Sequence, residues 1–325
     1  MALAIDDLMV GHWADPAGLT GCTVLVPPRD NVTSCSVRGG GPGTRETDLL
    51  DPQAHLEAVS ALLLTGGSAF GLAAAQGVVD WCERRGIGYD RFGRPIPIVP
   101  AAVLFDLTVG DWQARPGPAA GEAACAAATT LDGPMGNVGA GMGATVGKIA
   151  GPEHMMKGGL GYALRREGEV TVGALVAVNA GGDVFDQDGS VIAGAQVPGG
   201  GRAALRERLA EPATAREPVL PEPLPPGGST TLGVVVTNAR LTKNEAYRVA
   251  VQAHDGMARA IMPVHTTYDG DTVFALAVPR VDASMDLVAI LAEEVLADAI
   301  RAGVRAATTL AGIPGLAGAP AAPHR

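Results

Sequence analysis

Residues 212–226 carry six prolines in fifteen positions, and the chain resumes just beyond them as Ser229-Thr230-Thr231-Leu232-Gly233-Val234-Val235-Val236. Proline fixes φ and offers no backbone donor, so the stretch is neither a helix interior nor a central strand. It predicts a linker or surface loop. The β-branched run that follows predicts a strand headed by hydroxyl residues. If the bond before Thr230 were cut, its freed α-amine would stand beside its own hydroxyl, the pairing that activates a threonine nucleophile.

The 325 residues are 47% hydrophobic but only 4% aromatic, so the interior must be aliphatic and rich in small residues. Net charge is −10, with 16 Lys/Arg against 25 Asp/Glu before Thr230 and 8 against 9 from Thr230 onward. An acidic chain of this kind is a poor partner for nucleic acid. The opening Met1-Ala2-Leu3-Ala4-Ile5-Asp6-Asp7 places acids where a secretory signal needs basic residues, and no long apolar window follows. The expected location is the cytoplasm, with no membrane partner. Cys22, Cys35, Cys82 and Cys125 lack CxxC or His-linked spacing, which predicts reduced, buried thiols and no metal site.

Strands are expected at Thr23–Val26, Ser34–Val37, 61–65, 96–100, 102–105, 169–180, 182–185, 232–237 and 272–278. Helical spacing is expected at 69–85, 121–130, 243–261 and 284–309, with a loose Gly/Pro/Ala tail at 312–325. Mixed elements of this sort predict a layered α/β or α+β architecture.

Several motifs fall short of the chemistry they suggest. Gly66-Gly67-Ser68-Ala69-Phe70 has Phe70 where a nucleophile elbow needs glycine, so Ser68 reads as a helix N-cap. Gly139-Ala140-Gly141-Met142-Gly143-Ala144 is a lone dinucleotide-like match with no buried strand before it. Gly147-Lys148 lacks both the first glycine and the Ser/Thr of a phosphate loop. What survives is a glycine-rich turn whose N–H groups suit an oxyanion, ending in Lys148. Asp269-Gly270-Asp271 puts two carboxylates on one side of an extended segment, and by itself reads equally as a polar turn. The further ligands of an EF-hand are missing, and Glu153-His154 belongs to no HExxH.

Read together, Thr65-Gly66-Gly67-Ser68-Ala69-Phe70-Gly71-Leu72, Gly136-Asn137-Val138-Gly139-Ala140-Gly141 with Gly147-Lys148, Ser229-Thr230-Thr231-Leu232, and His254-Asp255-Gly256 with Asp269-Gly270-Asp271-Thr272 resemble one family. It is that of L-aminopeptidase/D-esterases, β-peptidyl aminopeptidases and nylon-oligomer endo-hydrolases, matched in order from about Gly11 to Ala311. The resemblance implies an α+β fold, a four-layer αββα sandwich of the N-terminal-nucleophile hydrolase type, made by a precursor that cuts itself once.

The implied cut lies between Ser229 and Thr230, giving a large subunit 1–229 and a small subunit 230–325 within one domain. Nylon-oligomer hydrolases carry Asn where Ser229 stands, so Thr231 and Ser229 remain open behind Thr230 as the new terminus. The resemblance gives Lys148 and Asn179 the tasks of orienting the nucleophile and stabilising the oxyanion, and makes Asp269 and Asp271 the acidic pair beside it. Asn137 and Gly139 are candidates for the oxyanion or substrate. Phe105 stands where relatives carry an active-site tyrosine. It further implies no cofactor, a homo-oligomer of four or more copies, and an amide or short-peptide substrate. The threonine junction points to linear oligoamides such as 6-aminohexanoate oligomers, ahead of an aminopeptidase or a noncatalytic oligomeric scaffold.

Overall fold

The computed structural model describes residues 5, 7–130, 133–201, 203, 206 and 228–318, so the proline-rich segment 212–226 lies outside the described residues. Two five-stranded sheets form the centre. One runs in the order β1 (Met9–Asp15), β2 (Thr20–Val26), β5 (Leu62–Thr65), β6 (Ala101–Val103), β4 (Thr44–Arg45). The other runs β7 (Gly159–Glu167), β8 (Val170–Asn179), β9 (Thr230–Ala239), β10 (Thr272–Val281), β3 (Val32–Val37). Neighbours are antiparallel except β5–β6 and the central β9–β10 pair.

Alternation along each strand explains the layers, because successive side chains point to opposite faces. On β9, Leu232, Val234 and Val236 join Leu175 and Ala177 of β8 and Leu25, Leu62 and Leu64 of the first sheet in one core between the sheets. The intervening Val235 of β9, with Val172, Val176 and Val273, packs instead against helices α3 (Lys243–Ala260) and α4 (Met285–Ala306). A third core joins Val24 and Leu63 to Val78 and Trp81 of α1 (Ala74–Arg84) and Ala124 of α2 (Pro118–Ala126). The result is helices, sheet, sheet, helices. β8 is covered on both faces and buried along all ten residues, whereas edge strand β7 ends in the exposed Arg166-Glu167. Helix α3 begins with a capping box in which Thr242 and Glu245 satisfy each other's backbone N–H groups.

Two expectations need correction. The helix expected over 69–85 is a single turn, Ser68–Gly71, followed by α1, and Ser68 is not its cap. Gly67 occupies that position at φ 81, and Ser68 itself has φ 51. The tail is docked as far as it is described: Pro314 accepts from the Lys157 amide at 2.8 Å and Ala317 donates to the Ala307 carbonyl at 2.8 Å. Among the described residues, no helix is long and apolar enough to cross a membrane.

Candidate active site

Thr230 opens β9 directly opposite Asn179, the last residue of β8. By alternation Thr230 shares the inter-sheet face with Leu232, and Asn179 shares it with Ala177. Both therefore stand at one end of the inter-sheet core, with Thr230 2% and Asn179 0% exposed. The Thr230 hydroxyl donates to the Ser229 carbonyl oxygen at 2.6 Å, and the same carbonyl accepts the Gly270 amide at 3.0 Å. A side-chain hydroxyl and a backbone N–H thus converge on the Ser229 carbonyl, at the bond between Ser229 and Thr230.

Lys148 arrives from the glycine-rich turn. Gly147, at φ 74, lets the chain fold back so that Gly147 and Ile149 donate to the carbonyls of Gly182 and Gly181. That anchors Lys148 just beyond the end of β8, where its ammonium donates to Asn179 Oδ1 at 2.7 Å and to the Asn179 carbonyl at 3.0 Å. Asn179 Oδ1 also accepts the Thr145 amide at 3.0 Å, and its side-chain nitrogen donates to the Phe105 carbonyl at 3.0 Å. Every polar atom of the Asn179 side chain is engaged, which locks its orientation. Burial pushes Lys148 down to about 7, although the charges of Asp269 and Asp106 favour the ammonium.

The two aspartates approach Thr230 along the chain entering β10. Asp269 forms a bridge with Ser229 and accepts the Thr266 amide on Oδ2 at 2.7 Å. Its pKa is raised, first by burial and then by the neighbouring Asp271. Asp271 Oδ1 accepts the amide of Thr231 at 2.7 Å, holding the start of β9 from the β10 side.

The structure thus gathers Ser229, Thr230, Lys148, Asn179, Asp269 and Asp271. Phe105 enters through its main-chain carbonyl, while its ring meets Trp112 edge to face at 6.2 Å. Asn137 and Gly139 are engaged elsewhere. The Asn137 amide donates to the Thr308 carbonyl and hydroxyl at 2.9 Å, and Gly139 lies against Thr23 and His12. The glycine-rich segment serves the cluster through the Thr145 amide and the Lys148 that follows it instead.

Sequence reasoning missed a second buried pair. Lys157 is fully buried and donates to the Met142 carbonyl at 2.8 Å; burial pushes it down to about 8 against the opposing charge of Asp106. Asp106 accepts from the Thr20 hydroxyl and the Gly67 amide, both at 2.7 Å, and burial raises its pKa. The available signal was an acid set in the apolar run Val103-Leu104-Phe105-Asp106-Leu107.

The four cysteines are buried, and burial pushes the thiols of Cys22 and Cys35 up to about 12, so neither supplies a thiolate nucleophile. Glu153 and His154 form their own 3.3 Å pair. Among the described residues, no group of three His, Cys, Asp or Glu is placed to hold a metal ion. Surface clefts of about 700 and 560 Å³, the first around Arg165, Asp186 and Arg259 and the second around Arg29, His55 and Tyr89, include none of the clustered side chains.

A model described as peptidase family S58 matches residues 4–317. An uncharacterized aminopeptidase of Mycobacterium tuberculosis is 42% identical, with 95% of each chain covered. A 6-aminohexanoate-oligomer endohydrolase of Paenarthrobacter ureafaciens is 32% identical over 82% of this chain and 71% of its own. A Burkholderia β-aminopeptidase structure superposes with TM-score 0.71 at 20% identity, covering 97% of this chain and 90% of the other. An L-aminopeptidase D-Ala-esterase/amidase from Ochrobactrum anthropi, described as a variant of the N-terminal-nucleophile hydrolase fold, superposes with TM-score 0.68 at 18% identity, covering 94% and 86%. The αββα layering is the fold these two structures share with this chain.

Proposed function

The chain belongs to peptidase family S58 and is a hydrolase of amide or peptide bonds, and from that premise we propose that Thr230 first cuts the chain before itself and then serves as the N-terminal nucleophile. The observation that carries this reading is the Thr230 hydroxyl lying 2.6 Å from the Ser229 carbonyl oxygen, with the Gly270 amide donating to that same oxygen. The hydroxyl oxygen attacks the Ser229 carbonyl carbon, and the developing oxyanion is met by the Gly270 N–H. One such donor is worth about 3 kcal/mol in other hydrolases. The C–N bond breaks, Thr230 nitrogen takes the hydroxyl proton, and water then hydrolyses the ester to leave a Ser229 carboxylate and a free Thr230.

In turnover the α-amine takes the hydroxyl proton as Thr230 attacks a substrate amide, a general-base contribution of about 10² to 10⁴ in rate. Asp269 and Asp271 hold the amine. Lys148, fixed by Asn179, favours the deprotonated hydroxyl through its charge.

For substrate we infer linear aliphatic oligoamides of the 6-aminohexanoate type. The reading is supported by the threonine junction and the 32% identical endohydrolase. The aminopeptidase reading is favoured by the name of the 42% identical relative. Product analysis with a 6-aminohexanoate oligomer, a β-peptide and an amino-acid p-nitroanilide separates the two: internal cleavage of the oligomer supports the first, and release of N-terminal residues alone overturns it. Intact-mass analysis should find fragments of roughly 23 and 10 kDa from the 32.8 kDa chain, the smaller beginning at Thr230. Thr230→Ala should stay whole; fragments from that variant would refute the nucleophile. We also propose a cytoplasmic homo-oligomer, to be tested by light scattering of the cleaved protein.

A further inference from the structure

Asp271 has a second set of contacts for which the reaction above gives no task. Its Oδ2 accepts twice from one residue, from the backbone amide of His265 at 3.0 Å and from ring Nδ1 at 2.8 Å. To reach the same oxygen with both groups His265 sits at φ 56, in the left-handed region that only a few per cent of non-glycine residues occupy, His more often than most. If the turn needed only that backbone shape, glycine would adopt it without strain. A histidine there, with its ring as well as its amide on the carboxylate that holds Thr231, points instead to the ring.

The surroundings keep this ring on Asp271. His254, 2% exposed on α3, packs edge to face against His265 at 4.7 Å and is itself bonded through Nε2 to the Ser36 carbonyl. Burial pushes His254 down to about 4, so it stands there as a neutral ring. His265 Nε2, His254 Nδ1 and Thr231 Oγ1 are all buried without a hydrogen-bond partner among the described residues. Asp271 is thus the side-chain partner that fixes His265, and Asp271 Oδ1 in turn holds the Thr231 amide at 2.7 Å.

We propose that His265 is a positioning residue for the nucleophile: by gripping Asp271 Oδ2 with backbone and ring together, it aims Oδ1 at the Thr231 amide and so sets the Thr230 hydroxyl. The inference rests on the reading of Thr230 as nucleophile. It assigns His265 no contact with substrate.

The test compares His265→Asn, His265→Gly and His265→Ala in the full chain, following the rate at which the Thr230 fragment appears, kcat and KM on an amide substrate, and Tm. Asparagine tolerates the left-handed backbone and brings a side-chain N–H close to the place of Nδ1. It should remain within about threefold of wild type in both rates. Glycine keeps the backbone N–H and relieves the strain, so it should hold Tm while fragment formation and kcat fall at least about tenfold and KM changes less than about twofold. A glycine variant as fast as wild type overturns the proposal. So does a parallel loss of rate and Tm in all three variants, which marks a purely structural residue. Thr230→Ala, run alongside, separates the levels: fragments from it refute the nucleophile itself, as does a wild type that forms none. A silent Thr230→Ala beside a fully active glycine variant refutes the role of His265 alone.

Discussion

Gly270 faces the Thr230 hydroxyl so closely that a β-carbon built on it would lie 2.7 Å from Oγ1, while its own amide donates to the Ser229 carbonyl at 3.0 Å. Contact that short forces the hydroxyl to move. Gly270 φ lies outside the left-handed region, so alanine suits its own backbone angle, and the added carbon presses hardest on this hydroxyl and less on the Gly41 carbonyl at 3.1 Å. Gly270→Ala should slow formation of the Thr230 fragment by at least about tenfold, a small angular error being enough when attack needs near-contact geometry. A mass time course beside a melting curve checks this; unchanged cleavage would mean the hydroxyl is not the attacking group.

Lys148 loses its charge as pH rises through about 7, where an exposed lysine would keep it to about 10.5. Its help to the hydroxyl should vanish accordingly, giving kcat/KM a descending limb near pH 7. Lys148→Arg keeps its charge at any accessible pH, so the limb should move upward, although a guanidinium cannot reproduce both bonds to Asn179 and the plateau should fall. Lys148→Met should lower the rate by about 10² to 10³ below pH 7, the scale of losing one electrostatic stabiliser. Profiles of the three proteins decide, and an identical limb in the arginine variant would dismiss the charge argument.

Asn179→Ala would leave the Thr145 amide, the Phe105 carbonyl and the Lys148 ammonium short of partners in a buried site. The expected loss is about 2–4 kcal/mol of stability, measured by urea unfolding in the Thr230→Ala background so that the chain stays whole. Asn179→Asp keeps the acceptors and adds a negative charge beside Lys148. It should move the alkaline limb to higher pH.

Lys157 predicts a linkage effect whose sign can be worked out. Between about 8 and 10.5 the unfolded chain holds its proton and the folded chain does not, so stability rises with pH across that window. The slope per such group approaches about 1.4 kcal/mol per pH unit. The buried thiols of Cys22 and Cys35 act in the opposite sense above pH 9. Comparing wild type with Lys157→Met isolates the lysine, and the variant should show the flatter or more steeply falling curve between pH 8 and 10. Equal slopes would mean that Lys157 stays protonated in the fold.

How legible these features were depended on what each residue is for. β8, β9 and β10 were readable because strands covered on both faces are runs of Val, Leu and Ala, whereas β1 and β7 were missed because edge strands such as Gly159–Glu167 carry arginines toward solvent. The helix expected from 69 to 85 is interrupted at Leu72-Ala73, where the amides of Leu72, Ala73, Ala75 and Gln76 bond three residues back in place of four. Lys148, Asn179, Asp269 and Asp271 were found through family resemblance. Asp106 and Lys157 belong to no local pattern, and a buried charge reveals itself only when the fold shows what surrounds it. His265 stood in the open within His265-Thr266-Thr267-Tyr268-Asp269-Gly270-Asp271, but its importance lies in a backbone angle that no residue spacing encodes.

The order of the second sheet places β9 and β10, from beyond Ser229, between β8 on one side and β3 on the other, both from before it. A break at Ser229–Thr230 would therefore leave two chains woven through one another like the teeth of a closed zip. Neither part owns the whole of this second sheet, and the strands from beyond Ser229 cannot leave without opening a hydrogen-bonded ladder on each flank. After such a cut the two pieces would travel and melt as a single body, and only a denaturant would reveal that there are two of them.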